Sequence, residues 1–452
     1  MNYFEQNRQL FLDGLISFLR IPSVSTLPEH REDVVRAAEF VASDLHNAGM
    51  DHVEIIRSEG RHPLAYADWL HAPGKPTLLL YGHYDVQPPD PLDEWISPPF
   101  EPQIRNGNLY ARGAVDDKGQ VYLLLKAIEG LMKTDGRLPV NIRVLIEGEE
   151  EVGGDHISNF VSAHPERLHA DAALVCDTEM FAPDLPTICV GLRGIVYGEL
   201  EVEGARTDLH SGVYGGAAPN PLQAMAEILA ALKDRNGRIQ IPGFYDKVRP
   251  PSPEERRAWA SLPFDEAEYL RNEIGAVSLV GDPAIPVLER VWAQPTLEVH
   301  GIRGGFIGEG AKTVIPARAL AKVSMRLVPD QDPAEATAQL ADAVIRVAPK
   351  GVTARYKAIH SGAASLIDPA NRFVQAGARA LTEFFGKEAV FTRGGGSIPI
   401  VGLFQKHLGI PSVLMGFGLP DDNLHAPNEK FHLANFYRGI EAVAQYLRLL
   451  GS

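Results

Sequence analysis

The sequence has 452 residues, a length that accommodates two or three globular domains. Its 43 basic and 58 acidic residues give a net charge of −15, which would repel a phosphate backbone, so nucleic acid is not an expected partner. No run approaches the roughly 18 apolar residues of a membrane helix, and Cys176 and Cys189 lack the spacing of a disulfide or zinc module. We therefore expect a cytoplasmic protein that binds neither nucleic acid nor membranes.

Helical and extended patterns alternate in the first part of the chain. The predicted elements are helices at 1–20 and 31–49, a buried strand at 78–81, a helix at 120–132, and buried strands at 140–146 and 172–175. This alternation predicts a mainly parallel sheet covered by helices. Such sheets bind their ligands beyond the carboxyl ends of the strands.

Polar side chains follow each predicted strand or lie where a strand leads into a helix. They are His83 and Asp85, Asp116, Glu150 and Glu151, and Asp177. His83 and Asp85 have the spacing that directs two side chains of an extended segment to one face. Asp85 could therefore fix the tautomer of His83.

The pattern changes near Gly191. Apolar and polar residues alternate at 196–203, 319–327 and 352–359, with helices predicted at 221–233 and 333–347 and an irregular segment at 241–263. A helix at 370–386 and a strand at 412–415 resume the first pattern, and His425 follows them. We predict an α/β catalytic domain formed by residues 1–193 and 366–452, interrupted by an inserted α+β domain of residues 194–365.

The strand-end groups together provide two imidazoles and at least four carboxylates, a donor set that suits zinc, or manganese as a harder alternative. Five ligands are too many for one tetrahedral zinc ion. They suit two ions bridged by one carboxylate and a water, the arrangement of two-metal hydrolases. One acid then remains for proton transfer, and Glu150 and Glu151 could divide the roles of base and ligand.

Several of these segments also carry a family resemblance. The segments 82–86, 112–119 and 147–151 and the loop around His425 resemble, in the same order, the di-zinc metallopeptidase family of carnosinases, bacterial dipeptidases, aminoacylase, carboxypeptidase G and succinyl-diaminopimelate desuccinylase. The match spans nearly the whole chain and favours the dipeptidase and carnosinase branch. One departure is Gly394, where carnosinase-like members commonly have Glu.

The resemblance implies two Zn2+ ions per subunit, with Mn2+ as an alternative. Asp116 would bridge the ions, with His83 and Asp177 on one ion and Glu151 and His425 on the other. It further implies Glu150 as general base, Asp85 as the carboxylate that orients His83, and a cis peptide bond between Asp116 and Asp117.

The inserted domain resembles the family's lid and dimerisation domain. Read alone, His210 is more typical of a surface turn. In similar dipeptidases this histidine reaches the partner subunit's active site and stabilises the oxyanion, which implies a homodimer formed through the inserted domain. Arg326 resembles the clamp for the substrate's C-terminal carboxylate. Thr313, His360 and Ser397 resemble further substrate contacts.

We therefore predict a metal-dependent exopeptidase that hydrolyses dipeptides or short peptides with a free C-terminal carboxylate, through a metal-bridging water and a glutamate base. The nearest alternative is an N-acyl amino acid deacylase or desuccinylase with the same metal site. Two less favoured classes of function are a metal-free glycosidase, which would not need His83 and His425, and a non-catalytic binding module, which would be expected to have lost ligands.

Overall fold

The chain folds into two compact units. The structure is a computed structural model that describes residues 2–396 and 398–452. Unit 1 comprises Met1–Val190, Ile367–Thr392 and Leu403–Ser452, and unit 2 comprises Gly191–Leu366 and Arg393–Gly402. Unit 2 is therefore inserted between segments of unit 1 in the sequence.

The strands, in chain order, are β1 (Asp51–Ile56), β2 (Leu64–Trp69), β3 (Thr77–His83), β4 (Gln103–Arg105), β5 (Asn108–Tyr110), β6 (Asn141–Glu147), β7 (Ala172–Val175), β8 (Thr187–Leu192), β9 (Gly194–Glu203), β10 (Leu209–His210), β11 (Thr296–Gly304), β12 (Val314–Ile315), β13 (Arg318–Leu327), β14 (Thr353–Gly362), β15 (Ser365–Leu366), β16 (Val390–Gly394), β17 (Ser412–Leu414) and β18 (Lys430–His432).

The α-helices are α1 (Tyr3–Gln6), α2 (Arg8–Leu19), α3 (Arg31–Asn47), α4 (Lys118–Asp135), α5 (His156–Ala163), α6 (Ser211–Tyr214), α7 (Pro221–Leu232), α8 (Pro253–Ala260), α9 (Glu266–Glu268), α10 (Val287–Ala293), α11 (Pro333–Val347), α12 (Arg372–Phe385), α13 (Pro399–Leu403) and α14 (Leu433–Gly451). Among these described helices, none combines the length and the apolar character that a membrane span requires.

A mixed sheet forms the centre of unit 1, with the strand order β1-β2-β6-β3-β7-β17-β8. The four strands β6, β3, β7 and β17 are parallel to one another. At one edge β1 and β2 are antiparallel because a short connection joins them as a hairpin, and at the other edge β8 is antiparallel to β17. The predicted α/β class with an inserted domain is confirmed, and the sheet is parallel at its centre and antiparallel at its edges.

Helices cover this sheet, which explains why the central strands are continuously apolar. Every residue of β7 is buried, as are all residues of β3 after Thr77. Helix α4 packs on β3, α3 on β1 and β2, and α12 on β17. The carboxyl ends of the parallel strands are thereby fixed at one edge of a packed core.

Unit 2 contains an antiparallel sheet with the strand order β11-β13-β9-β14 and a separate two-stranded pair, β10-β12. Burial alternates along β9, as its sequence predicts. Helices α7 and α11 pack over one face and enclose a hydrophobic core that includes Val196, Leu200 and Met325. On the other face, the side chains of β9 are half-buried and most of those of β11 and β14 are exposed.

Helix α8 lies inside the segment predicted to be irregular. Its start has two strong local signals, a proline in the first turn and a capping box in which Ser252 and Glu255 bond reciprocally to each other's backbone N–H groups. The segment around α8 is rich in proline and charged residues, a composition typical of loops, and for this reason the helix was not predicted.

Candidate metal centre

The predicted metal ligands of unit 1 lie at one edge of the central sheet. In the parallel register Tyr81 pairs with Val175 and His83 pairs with Glu147, so β3, β6 and β7 end at nearly the same level. Asp177 lies two residues beyond β7. Glu150 and Glu151 begin a short 3₁₀ turn that follows β6. The side chains that follow three separate strands therefore meet in one place.

Asp116 lies between the two predicted histidine ligands. Its Oδ1 is 3.2 Å from His83 Nε2 and its Oδ2 is 2.9 Å from His425 Nε2. The peptide bond between Asp116 and Asp117 is cis, as the family resemblance implied. One carboxylate thus faces two imidazoles, one with each oxygen.

The remaining predicted ligands complete two groups around this carboxylate. Asp177 Oδ2 is 3.9 Å from His83 Nε2, and Glu151 Oε2 is 3.4 Å from His425 Nε2. Within the described residues, two sets of possible ligand atoms lie within 4.8 Å of one another. One set comes from Asp116, Glu151 and His425, and the other from His83, Asp117 and Asp177. Each group has the nitrogen and oxygen donors of a metal site.

Asp117 has a different environment from Asp116, although both lie near His83. Its Oδ2 accepts a hydrogen bond from the backbone N–H of His83 at 3.1 Å, and its buried Oδ1 has no hydrogen-bond partner among the described residues. Since only Asp116 directs its two oxygens to both imidazoles, Asp116 is the better candidate for a shared ligand.

The donor set fits zinc in spacing as well as in chemistry. Two ligand atoms that each lie about 2.1 Å from one tetrahedral zinc ion are separated by roughly 3.4 Å. The four distances that join His83 and His425 to their carboxylates run from 2.9 to 3.9 Å. These residues could therefore bind two ions with small movements of their side chains.

The electrostatics of the cluster also favour cations. Burial, together with neighbouring carboxylates, raises the pKa of Glu150 well above its ordinary value and that of Asp177 to about 7. Hydrogen bonds from His425 and His83 outweigh burial and lower the pKa of Asp116, and the carboxylates of Asp116 and Glu151 raise the pKa of His425 to about 10. Bound dications would neutralise the excess negative charge of this cluster.

Asp85 links the His83 segment to the acidic turn. Its backbone carbonyl lies 3.1 Å from His83 Nδ1, closer than its carboxylate at 3.5 Å. The carboxylate accepts hydrogen bonds from the backbone N–H groups of Glu150, at 3.3 Å, and Glu151, at 3.1 Å. Because Nδ1 faces Asp85, His83 Nε2 is the nitrogen directed at the ligand cluster.

Two predicted substrate contacts of unit 2 are neighbours on the β10-β12 pair. His210 pairs with Val314, and the backbone carbonyl of Thr313 accepts a hydrogen bond from Ser211 at 3.1 Å. His210 is exposed, and its Nδ1 accepts a hydrogen bond from the N–H of Gly212 at 3.0 Å. An accepting Nδ1 places the ring proton on Nε2, so His210 presents an N–H donor.

Arg326 and His360 lie on the open face of the four-stranded sheet. Arg326 pairs with Ile195 in β9, and His360 pairs with Tyr197 and stacks on its ring at 5.1 Å. Burial lowers the pKa of Arg326, and burial together with Arg326 lowers the pKa of His360. Ser397 lies outside the described residues.

Several residues that hold the predicted ligands in place were not predicted from the sequence. The hydroxyl of Ser25 donates to Asp85 Oδ2 at 2.7 Å, and Gln87 Nε2 donates to Glu151 Oε2 at 2.7 Å. Glu429 is fully buried beside the Asp116 segment. No local sequence pattern identifies these three residues, because each one contacts a segment that is distant from it in the sequence.

Comparisons with known proteins identify the family of this chain. The family model for peptidase family M20/M25/M40 matches residues 79–449. The Cys-Gly metallodipeptidase dug1 of Schizosaccharomyces pombe is 34% identical, over 99% of this chain and 97% of its own. The human Beta-Ala-His dipeptidase is 31% identical, over 98% of this chain and 90% of its own. The structure of an M20 family metallo-carboxypeptidase, Sso-CP2 of Sulfolobus solfataricus, has a TM-score of 0.87 and 32% identity, and covers 98% of this chain and 99% of its own.

These matches confirm the predicted family and the prediction of a metal-dependent peptidase of the dipeptidase type, and they contradict the hypothesis of a metal-free glycosidase. The chain belongs to peptidase family M20/M25/M40, in the branch of its metal-dependent dipeptidases.

Proposed function

We propose that this chain is a dinuclear zinc dipeptidase that works as a cytoplasmic homodimer. The observation that carries the proposal is the Asp116 carboxylate, whose two oxygens lie 3.2 Å and 2.9 Å from His83 and His425. A carboxylate so placed is the natural bridge of a two-metal site. Cys176 and Cys189 are buried and are not joined in a disulfide, which supports a reducing compartment.

We assign the ligands by their distances to the two imidazoles. His83 and Asp177 would hold one ion, Glu151 and His425 the other, and Asp116 both. When bound, the ions supply Lewis acidity to the scissile carbonyl and acidify the attacking water. Mn2+ remains the alternative metal because the site has more carboxylates than imidazoles.

Glu150 is the proposed general base. It would accept a proton from the attacking water at a carboxylate oxygen and return it to the leaving amine nitrogen. Burial raises the pKa of its carboxyl, which favours a group that both takes and gives a proton. The bonds from the backbone of Glu150 and Glu151 to Asp85 hold the base beside the ligand cluster.

Unit 2 would supply substrate recognition. Arg326 is half-buried, and a guanidinium in that setting suits the C-terminal carboxylate of a dipeptide. His360, Thr313 and Ser397 are proposed as further substrate contacts. The relatives named for Cys-Gly and Beta-Ala-His make these two dipeptides the first substrates to test.

We further propose that His210 serves the active site of the partner subunit, with unit 2 as the dimerisation domain. His210 is exposed on the β10-β12 strand pair and presents Nε2–H as a donor. That donor would stabilise the oxyanion that forms at the scissile carbonyl.

The first experiment uses protein stripped by a chelator and titrated with Zn2+ or Mn2+. Hydrolysis of Cys-Gly, β-Ala-His, N-acetyl amino acids and N-succinyl amino acids is measured at each step. We expect activity on the free dipeptides that is maximal at two equivalents of metal. Activity on the acylated compounds alone would move the enzyme to the deacylases, and activity without metal would refute the two-metal mechanism.

The base is tested with Glu150→Gln, which should lower kcat by about 10²- to 10⁴-fold while two metal ions still bind. The matched control is Glu289→Gln, since Glu289 is a buried carboxylate of unit 2 that pairs with Arg256. This control should keep full activity. A wild-type kcat for Glu150→Gln would show that Glu150 is not the general base.

The shared active site is tested by mixing two inactive variants, His210→Ala and Glu150→Gln. In a mixed dimer one site receives an intact Glu150 from its own subunit and an intact His210 from the partner. Random mixing should restore about a quarter of wild-type activity, because half of the dimers are mixed and one of their two sites is intact. No restoration under conditions in which the subunits exchange would refute the assignment of His210.

A further inference from the structure

Glu429 accepts an unusual number of hydrogen bonds for a carboxylate without solvent. Its side chain is fully buried. Oε2 accepts from Arg112 Nη1 and from the N–H of Gly113, both at 2.8 Å. Oε1 accepts from the N–H of Val115 at 2.9 Å and from the N–H of Asp116 at 3.1 Å. Three of the four donors are thus backbone groups of the segment that ends at Asp116.

The same residue immediately precedes β18, the strand that leaves the His425 loop. Strand β18 pairs with β5, and the backbone carbonyl of Glu429 accepts from Ala111 at 3.1 Å. The loop is closed at its base, because Lys430 donates to Asp422 through its backbone N–H, at 3.0 Å, and through Nζ, at 2.9 Å. His425 lies inside this closed loop with a left-handed backbone, at φ 59°.

Glu429 therefore joins the two segments that bear Asp116 and His425. The distance between these side chains, 2.9 Å from Asp116 Oδ2 to His425 Nε2, depends on how two stretches of chain separated by more than 300 residues are fixed together. A buried ion pair with Arg112 alone would be a weak source of stability. The three backbone bonds instead fix the path of one ligand segment against the other.

We propose that Glu429 is a positioning residue, which holds Asp116 and His425 in the geometry that receives metal. The inference rests on the proposed dinuclear site. Residues that orient metal ligands commonly contribute 10- to 100-fold to metal affinity or activity. Glu429 would contribute in this way without contacting metal or substrate.

The test is Glu429→Gln in the full chain, stripped of metal and titrated with Zn2+ against a chromophoric chelator. A glutamine has only one oxygen, so in either orientation two of the four donors face an amide nitrogen. We expect zinc affinity about 10- to 100-fold weaker, a lower kcat at limiting zinc with unchanged KM, and recovery of kcat at excess zinc. Glu289→Gln is the matched control and should bind zinc as the wild type does.

Glu429→Asp provides a second variant should the glutamine variant fail to fold. It keeps the charge but is one methylene shorter, so it cannot reach all four donors, and its zinc affinity should also fall by about tenfold or more. A folded variant of either kind with wild-type zinc affinity would overturn the inference. Failure of the wild-type protein itself to bind two zinc ions would instead refute the proposed function.

Discussion

Gly416 offers a sensitive test of how the metal centre is built, because a side chain at this position would strike the segment that carries Asp177. A Cβ atom on Gly416 would lie 1.7 Å from the backbone oxygen and 2.1 Å from the carbonyl carbon of Thr178. Both are backbone atoms, so no side chain can rotate away. Gly416→Ala therefore forces either the end of β17 or the Asp177 segment to move.

The size of the movement follows from that contact. Real Cβ atoms essentially never approach another heavy atom closer than 3.0 Å, so residue 416 and the backbone oxygen of Thr178 must move apart by about 1.3 Å. Asp177 precedes Thr178 directly, and its Oδ2 is 3.9 Å from His83 Nε2. A misplacement of an active-site group by about 1 Å can lower the reaction rate 10²-fold. Overpacking of a core lowers the free energy of unfolding by about 1–3 kcal/mol.

We expect Gly416→Ala to lower kcat/KM on a dipeptide about 100-fold and to reduce the free energy of unfolding by about 1–3 kcal/mol. Steady-state kinetics and urea denaturation measure the two effects. Gly301→Ala is the control, because no atom lies within 4 Å of the Cβ it would add, and it should match the wild type. A Gly416→Ala protein with wild-type kinetics and an unchanged urea midpoint would refute this account of the Asp177 segment.

Three further substitutions test separate contacts. Ser25→Ala removes a donor from Asp85, at 2.7 Å, and should lower kcat up to about tenfold with unchanged KM in a dipeptide assay; an unchanged kcat would show that this bond does not position Asp85. Arg326→Met should raise KM for dipeptides at least tenfold, and the rise should disappear when the substrate's C-terminal carboxylate is amidated; an equal effect on both substrates would contradict the clamp. Lys126→Met leaves the carboxylate of Asp44, now 2.7 Å from Lys126 Nζ, without its buried cation. It should cost about 3–5 kcal/mol in urea denaturation, and a loss below about 1 kcal/mol would show that the pair contributes little.

The elements with a clear pattern of apolar residues were predictable from the sequence. Strand β7 and helix α11 have the predicted bounds, because a wholly apolar run and an amphipathic helix with a proline at its start are strong local signals. Strands β1 and β2 were not predicted. Strand β1 has no fully buried residue and lacks the continuous apolar run of the central strands, and its pairing is fixed by tertiary contacts with β2.

The candidate ligands His83, Glu151 and Asp177 were predictable because they lie at or after the ends of strands whose parallel order brings those ends together. The residues that hold these ligands in place were not predictable from the sequence. Glu429 and Ser25 act through hydrogen bonds to segments 313 and 60 residues away, and no spacing rule connects such positions. The role of the Asp85 carboxylate also differs in detail from a simple orienter of His83, since it accepts two backbone N–H groups from the acidic turn.

The ligand segments are tied to one another in two physically different ways. Asp117 accepts the N–H of His83, Asp85 accepts the N–H of Glu151, and Glu429 accepts the N–H of Asp116. These carboxylate-to-backbone bonds are directional, and the charge on the acceptor makes them strong. The Asp177 segment is instead held against the chain that follows β17. Backbone hydrogen bonds join Val175 to Met415 and Met180 to Gly418, and Gly416 packs closely against Thr178. Packing defects around β17 should therefore weaken binding of the ion proposed for Asp177 and His83 before they affect binding of the ion proposed for Glu151 and His425. Stepwise zinc titration of Gly416→Ala should then resolve one weakened site and one site of wild-type affinity.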